Sequence, residues 1–242
     1  NISKHRHDPA FKLVDGSILD DTALDRAFAG ADPQTTVVVH LAAKVGVRPS
    51  MADPLSYHLV NVRGTLKVLE KVREQGAEHF ILASSSSVYG ECPNLPWHES
   101  ERDLHPISPY AATKIAAEQF VAVHSRLHAL KATALRFFTV HGPRLRPDLA
   151  ISMFFDRIQA GLPITRFGDG TSARDYTYVG DIVRGVRDAI DRPLGGSVDG
   201  RLFEVFNLGN STTVTLGEMI AALEECTGCN AIIDQRPPQP GD

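Results

Sequence analysis

Long apolar runs, the cysteines for a disulfide framework and a surplus of positive charge are all missing from this chain of 242 residues. No apolar run approaches the roughly 20 residues needed to cross a bilayer, so no membrane-spanning helix is expected. Three cysteines in this length exclude a disulfide framework and point to a reducing, cytoplasmic setting. Two of them, in Cys226-Thr227-Gly228-Cys229, have metal-like spacing. No second pair completes a zinc site, so this stretch reads as a helix end and no metal is expected. The net charge of −4 leaves no electrostatic footprint for nucleic acid. Internal repeats, low-complexity segments and a glycine-rich loop able to cradle phosphates are absent too.

What is present suffices for a sizeable core, since 43% of the residues are hydrophobic. Short apolar runs alternate with longer amphipathic stretches, the pattern of repeated strand–helix units. Strands are expected at residues 11–14, 36–41, 80–84, 132–138 and 203–208. Helices are expected from the cap at Asp20-Asp21 through Phe28, over 54–75 with a stop at Gly76, and over 107–127, 179–190 and 216–226. From Gly142 the chain turns loop-rich, with Pro143, Pro147, Pro163, Gly168 and Gly170. That shift marks a crossing into a smaller domain.

One pair of residues carries chemistry. Ser108-Pro109-Tyr110-Ala111-Ala112-Thr113-Lys114 sets a lysine four residues after a tyrosine, one helical turn away on the same face. An ammonium there favours the phenolate, so the tyrosine can act as a base near neutral pH. A free phenol titrates near pH 10, and lowering that by roughly 3 units takes about 4 kcal/mol. The pair alone is a weak signal, because five tyrosines and seven lysines give about 0.14 such pairs by chance. Upstream, Phe80-Ile81-Leu82 leads into Ala83-Ser84-Ser85-Ser86-Ser87-Val88-Tyr89-Gly90, a buried strand ending in hydroxyls. Downstream, Leu135-Arg136-Phe137-Phe138-Thr139 repeats the arrangement. Both strand ends and the Tyr110 helix would converge at the carboxyl edge of a parallel sheet, where open α/β sheets bind ligands.

At these residues the chain resembles the extended short-chain dehydrogenase/reductase superfamily, within it the sugar-nucleotide epimerases. His40-Leu41-Ala42-Ala43, Asn61-Val62-Arg63-Gly64-Thr65, the serine run, Tyr110/Lys114, Arg174-Asp175-Tyr176-Thr177-Tyr178-Val179 and Phe206-Asn207-Leu208-Gly209 fall in the family's order. The stretch from Leu135 to Asp148, with His141-Gly142-Pro143-Arg144-Leu145-Arg146-Pro147-Asp148, looks most like the UDP-glucuronate 4-epimerases. The resemblance implies a doubly wound, Rossmann-like parallel sheet lacking its first strand–helix unit, with a smaller substrate domain. Residues 1–140 and 177–210 would form the NAD-binding part, and 141–176 with 211–242 the UDP-sugar part. In the resembled family the phosphate loop precedes the point where this chain begins, and a helical segment follows Gln239-Pro240-Gly241-Asp242. An internal fragment is therefore expected, the alternative being a trimmed relative that lost its cofactor loop.

The resemblance also implies roles. Tyr110 would take the proton of a sugar hydroxyl, Ser85 would share it, and Lys114 would hold the ribose of NAD. Ser17 and Ile18 would flank adenine, though the family usually has aspartate where Ser17 stands. Leu41, Ala42, Ala43 and Lys44 would pack along the cofactor with Ser84 and Phe138, and Asn61 would order the groups beneath it. Lys44 stands where the glucuronate branch commonly has glutamine and glucose epimerases have lysine. Ser86, Ser87 and Thr139 would cradle the sugar. Related dehydratases carry an acidic pair at Ser86-Ser87, so loss of water is not expected. Arg146 would face the substrate carboxylate, with Arg144 able to do the same. Oxidising C4 of a glucuronate creates a β-keto acid that loses carbon dioxide easily, and a bidentate arginine would hold the carboxylate out of the reactive orientation. Arg174 would meet the diphosphate, Thr165 to Phe167 the uracil, and Asp242 the ribose. The expected activity is NAD-dependent C4 inversion of UDP-glucuronate to UDP-galacturonate by a homodimer. A UDP-glucose or UDP-N-acetylhexosamine 4-epimerase is the rival, and a catalytically silent scaffold the rival from another class.

Overall fold

A computed structural model describes residues 2–192 and 202–238. In chain order its elements are α1 (Asp21–Phe28), β1 (Val37–His40), α2 (Val47–Ala52), α3 (Pro54–Tyr57), α4 (Thr65–Gln75), β2 (His79–Ser85), α5 (Pro109–His128), β3 (Lys131–Phe137), β4 (Thr139–His141), α6 (Ala150–Gln159), β5 (Ile164–Phe167), β6 (Ala173–Tyr178), α7 (Val179–Asp191), β7 (Phe203–Leu208), β8 (Thr213–Thr215), α8 (Leu216–Thr227) and β9 (Ile233–Arg236). They gather into two compact units. One comprises residues 1–137 and 185–207, the other 138–184 and 208–242.

The first unit is an α/β layer. Its sheet runs β1-β2-β3-β7, with β1, β2 and β3 parallel. β2 and β3 are buried along nearly their whole length, which is why they read as continuous apolar runs instead of alternating ones. Leu24 and Phe28 of α1, Val68, Leu69 and Val72 of α4, and Ala117 and Val121 of α5 close the core against Phe80, Leu82, Ala132 and Ala134. The register sets up the site. His40, the last residue of β1, pairs with Leu82, whereas β2 continues to Ser85 opposite Phe137. Beyond His40 the chain leaves the sheet and exposes Leu41 at 59%, so the carboxyl edge is stepped.

Residues 11–14 form no strand. Leu13 is 51% exposed, and the segment runs beside α1, where Lys12 Nζ donates to the carbonyls of Arg26 (3.0 Å) and Ala29 (3.5 Å). Four residues with no strand to pair with among those described have nowhere to place their backbone hydrogen bonds except turns and water. The helix expected over 54–75 is interrupted by a π-helical turn, His58–Gly64. Gly64 lets Ile18 pack against that turn, since a Cβ there would lie 2.6 Å from Ile18 Cδ1 and push the side chain aside.

The second unit holds what the glycines and prolines after Gly142 concealed: four strands and a helix where loops were expected. β4 pairs parallel with β6, β6 antiparallel with β8, and β5 parallel with β9. Phe154 and Ile158 of α6 pack with Ile164 and with Met219, Ile220 and Leu223 of α8. α8 starts at a reciprocal Thr215/Glu218 capping box and ends at Gly228, whose φ of 67° only glycine adopts without strain. Cys226 therefore sits in the last helical turn, as the sequence suggested.

Candidate active site

Tyr110 and Lys114 are placed by the start of α5. The Ser108 hydroxyl accepts the Ala111 amide at 3.1 Å and Pro109 occupies the first turn, so the helix begins one residue before the tyrosine. Both side chains are buried, Tyr110 at 9% and Lys114 at 5% exposure. The Lys114 ammonium donates to the Ala83 carbonyl at 2.8 Å and lies 5.9 Å from the centre of the Tyr110 ring. Burial pulls the Lys114 pKa down to about 8, against the opposing pull of Glu118. Ionised near neutral pH yet poised to titrate, it supplies positive charge beside the phenol. Buried His40, also at this edge, bonds Thr65 Oγ1 at 3.0 Å. Desolvation and then the Lys114 charge lower its pKa to about 4, so it stays neutral.

The serine run divides by role. Ser84 is buried and donates to Glu118, away from the strand end. Ser85 caps the short turn Ser86–Val88: its oxygen accepts the Ser87 amide at 3.2 Å and its hydroxyl lies 3.1 Å from Ser87 Oγ. Ser86 and Ser87 are half-buried. The following Val88-Tyr89-Gly90 is scaffold. Tyr89 is sandwiched between Trp97, stacked at 5.1 Å, and the Arg136 guanidinium at 4.8 Å, and its hydroxyl donates to Asn207 at 2.8 Å. Gly90 passes so close to the His105 carbonyl that a Cβ would overlap it at 1.6 Å.

Tyr57, Glu118 and Arg136 belong to this neighbourhood and escaped the sequence reading. Tyr57 is fully buried, presents its ring edge to Tyr110 at 6.3 Å and 83°, and anchors its hydroxyl on the Val45 carbonyl at 2.8 Å. Glu118 accepts from Arg136 Nε at 3.0 Å and Nη2 at 2.7 Å. Burial opposes the Arg136 charge, but the Glu118 carboxylate overrides it and drives the guanidinium pKa upward. The spacing Tyr110/Lys114/Glu118, each four apart, was the signal that could have exposed this ladder. Asn61 ties the post-β1 loop to α5. Its Oδ1 accepts the Lys44 amide at 2.7 Å, and its Nδ2 donates to the Lys44 carbonyl at 2.9 Å and to Thr113 Oγ1 at 3.0 Å. Lys44 Nζ turns to Asp53 and Ser56, at 3.2 Å and 2.5 Å. Ser17 closes a local turn, accepting the Leu19 amide at 3.2 Å, and Ile18 packs on the core.

The remaining candidates lie in the second unit. Thr139 opens β4 opposite Tyr176, and Thr165 and Phe167 face Asp234 and Arg236 across the β5–β9 pair. A Cβ on Gly209 would press to 3.2 Å from the Phe138 ring, which explains the glycine there. Arg174 and Asp175 point to opposite faces of β6. Asp175 accepts the amides of Asn210 (2.8 Å) and Ser211 (2.8 Å), so it pins the loop after β7. Arg174 is exposed and donates to the Ala173 carbonyl at 3.0 Å. Arg146 meets Asp148 in a two-point ion pair, Nε to Oδ1 at 2.9 Å and Nη2 to Oδ2. Arg144 has φ 70°, a left-handed backbone uncommon for a non-glycine residue. Asp242 lies outside the described residues.

A probable UDP-glucuronate 4-epimerase of Rhizobium meliloti is 36% identical over 96% of this chain and 71% of its own length. A UDP-glucuronate 4-epimerase of Thermodesulfobacterium geofontis is 41% identical over 81% of this chain and 58% of its own length. The crystal structure of UDP-glucuronic acid 4-epimerase from Bacillus cereus, in complex with UDP-glucuronic acid and NAD, superposes with a TM-score of 0.88 at 32% identity. It covers 100% of this chain and 73% of that one. This chain thus spans between 58% and 73% of the length of these relatives. Residues 1–209 match the NAD dependent epimerase/dehydratase family. The chain belongs to that family.

Proposed function

We propose that this protein interconverts UDP-glucuronate and UDP-galacturonate by NAD-dependent inversion at C4. The observation that carries the reading is the buried Tyr110/Lys114 pair at the stepped carboxyl edge of a parallel sheet, in a chain related to enzymes named for that reaction. The edge suits a dinucleotide. The exposed Leu41 and Ala42 offer an apolar, small-residue floor, and Asn61 fixes the loop that follows them. Leu41, Ala42, Ala43, Lys44, Asn61, Ser84, Tyr110, Lys114 and Phe138 would hold NAD, with Ser17 and Ile18 near its adenine. When bound, NAD takes up and returns the hydrogen and electron pair removed from C4.

The chain's own groups handle the proton and the charge. Tyr110 Oη removes the proton of the C4 hydroxyl, Ser85 Oγ shares a hydrogen bond with the same oxygen, and Lys114 favours the phenolate. After the sugar presents its other face, Tyr110 returns the proton to the C4 oxygen. Ser86, Ser87 and Thr139 bind the sugar, and Arg146 holds the carboxylate so that the 4-keto acid keeps its carbon dioxide. Arg174, Thr165, Phe167 and Asp242 bind the UDP portion. In this reading the first unit is the cofactor domain and the second the substrate domain. The working form is a homodimer in a reducing, cytoplasmic setting. Phe120, Val123 and Leu127 support the dimer, forming a stripe on the outer face of α5 at 37%, 49% and 68% exposure. No helix among the described residues is long and apolar enough to cross a membrane.

The test is product analysis by NMR. UDP-glucuronate should yield UDP-galacturonate, and Tyr110→Phe should lower turnover by roughly 10²–10⁴-fold while UDP-glucuronate binding stays intact. Preferential conversion of UDP-glucose would refute the uronate assignment, and near-parental turnover by Tyr110→Phe would remove the phenol from the reaction.

A further inference from the structure

We propose that Asp148 is a built-in surrogate for the substrate carboxylate. It occupies the Arg146 fork until a uronate displaces it, and so sets how strongly the site prefers a uronate to a neutral hexose. The inference rests on the reading of Arg146 given above and adds a second residue to it. Asp148 presents to Arg146 what a uronate would present: a planar carboxylate meeting Nε and Nη2 with one oxygen each. The pair is built into a turn. The Leu149 amide donates to the Arg146 carbonyl at 3.3 Å, which puts Pro147 and Asp148 at the two central positions. Proline presets φ at the first of these, so the two side chains are held as neighbours before any ligand arrives. Both are accessible, Arg146 at 44% and Asp148 at 58% of the side chain. An ion pair this exposed is weak enough to be exchanged. The Arg146 guanidinium also holds the Asp148 pKa below the usual carboxylate range, so the surrogate is charged throughout the neutral range.

Selectivity follows from what each sugar must displace. A uronate gains the Arg146 fork only by replacing Asp148, whose charge repels it. A neutral hexose gains little from the fork and can leave the pair intact. Asp148 thus weakens uronate binding to a small, defined extent and in return keeps Arg146 from capturing other anions. If Asp148 instead served to orient Arg146 for the substrate, its removal would weaken uronate binding, so the sign of the effect separates the two roles.

The experiment measures binding of UDP-glucuronate and UDP-glucose by titration calorimetry, and kcat and KM for both, in the parent and in Asp148→Asn, Asp148→Ser and Arg146→Ala. The Asp148 variants should bind UDP-glucuronate about 3–5-fold more tightly, with UDP-glucose unchanged. Sodium malonate, a small dicarboxylate, should become a stronger competitive inhibitor in both. Arg146→Ala should abolish the difference made by Asp148→Asn when the two are combined. Unchanged or weaker UDP-glucuronate binding in both Asp148 variants, with Arg146→Ala still impaired, overturns the surrogate and leaves the Arg146 reading standing. Unimpaired uronate binding by Arg146→Ala overturns both.

Discussion

Glu118 should be the most costly single residue to neutralise outside the Tyr110/Lys114 pair. Its side chain is 2% exposed and that of Arg136 4%, so neither charge has water to fall back on. Two hydrogen bonds join them, the Ser84 hydroxyl adds a third to Glu118, and Arg136 Nη1 is buried with no hydrogen-bond partner among the described residues. Replacing Glu118 by methionine strands the Arg136 charge, a loss of about 3–5 kcal/mol for a buried pair broken on one side. For a chain of this size that corresponds to a fall in Tm of roughly 6–20 °C. A large part should return when Arg136→Met is added, because two apolar side chains of similar length leave no charge behind. About 1 kcal/mol should stay lost through the Ser84 hydroxyl, which keeps no acceptor. Urea unfolding followed by circular dichroism on both single variants and the double variant gives the cycle. A loss below about 1 kcal/mol in Glu118→Met, or a double variant as unstable as the sum of the singles, would refute the claim that an uncompensated buried charge causes most of the destabilisation.

Lys114 should give the ligand-free protein a pH-dependent stability. Its folded pKa of about 8 lies below the ordinary value of 10.5, so between these the unfolded chain binds more protons and stability rises with pH, by about 3 kcal/mol across the full window. Urea midpoints from pH 7.5 to 10 should climb in the parent and stay flat in Lys114→Met; parallel curves would show that the ammonium is not desolvated. The α5 stripe should govern assembly. Val123→Glu with Leu127→Glu should shift the protein from dimer to monomer in sedimentation velocity, and a dimer that persists would place the interface elsewhere.

The local chemistry was legible from the amino-acid order because it depends on short spacings. A lysine four residues after a tyrosine and hydroxyls at the end of an apolar run need only helix and strand periodicity to be read. The boundaries moved slightly: the helix expected from residue 107 starts at Pro109, because Ser108 caps it, and the strand expected to end at residue 84 runs to Ser85. In the second unit the same logic failed in one direction. Gly168 and Gly170 mark true turns, but they drew attention from β5 and β6 on either side, and β9 is invisible without its partner β5. Short strands with mixed burial draw their stability from pairing, which no local pattern records. Residues 11–14 show the converse, an apolar-looking segment that pairs with no strand among those described.

What tertiary structure alone decided is which distant groups share a charge or a contact. Tyr57 lies 53 positions before Tyr110, and their edge-to-face packing depends on the π-helical turn that brings α3 against α5. Arg136 meets Glu118 because β2 and β3 align in register beneath α5, and burial then turns an ordinary ion pair into one with a high penalty for disruption. Sequence order determines which side chains a helix or strand presents; only packing fixes how far each is from water, and with it the strength of every charge at the site.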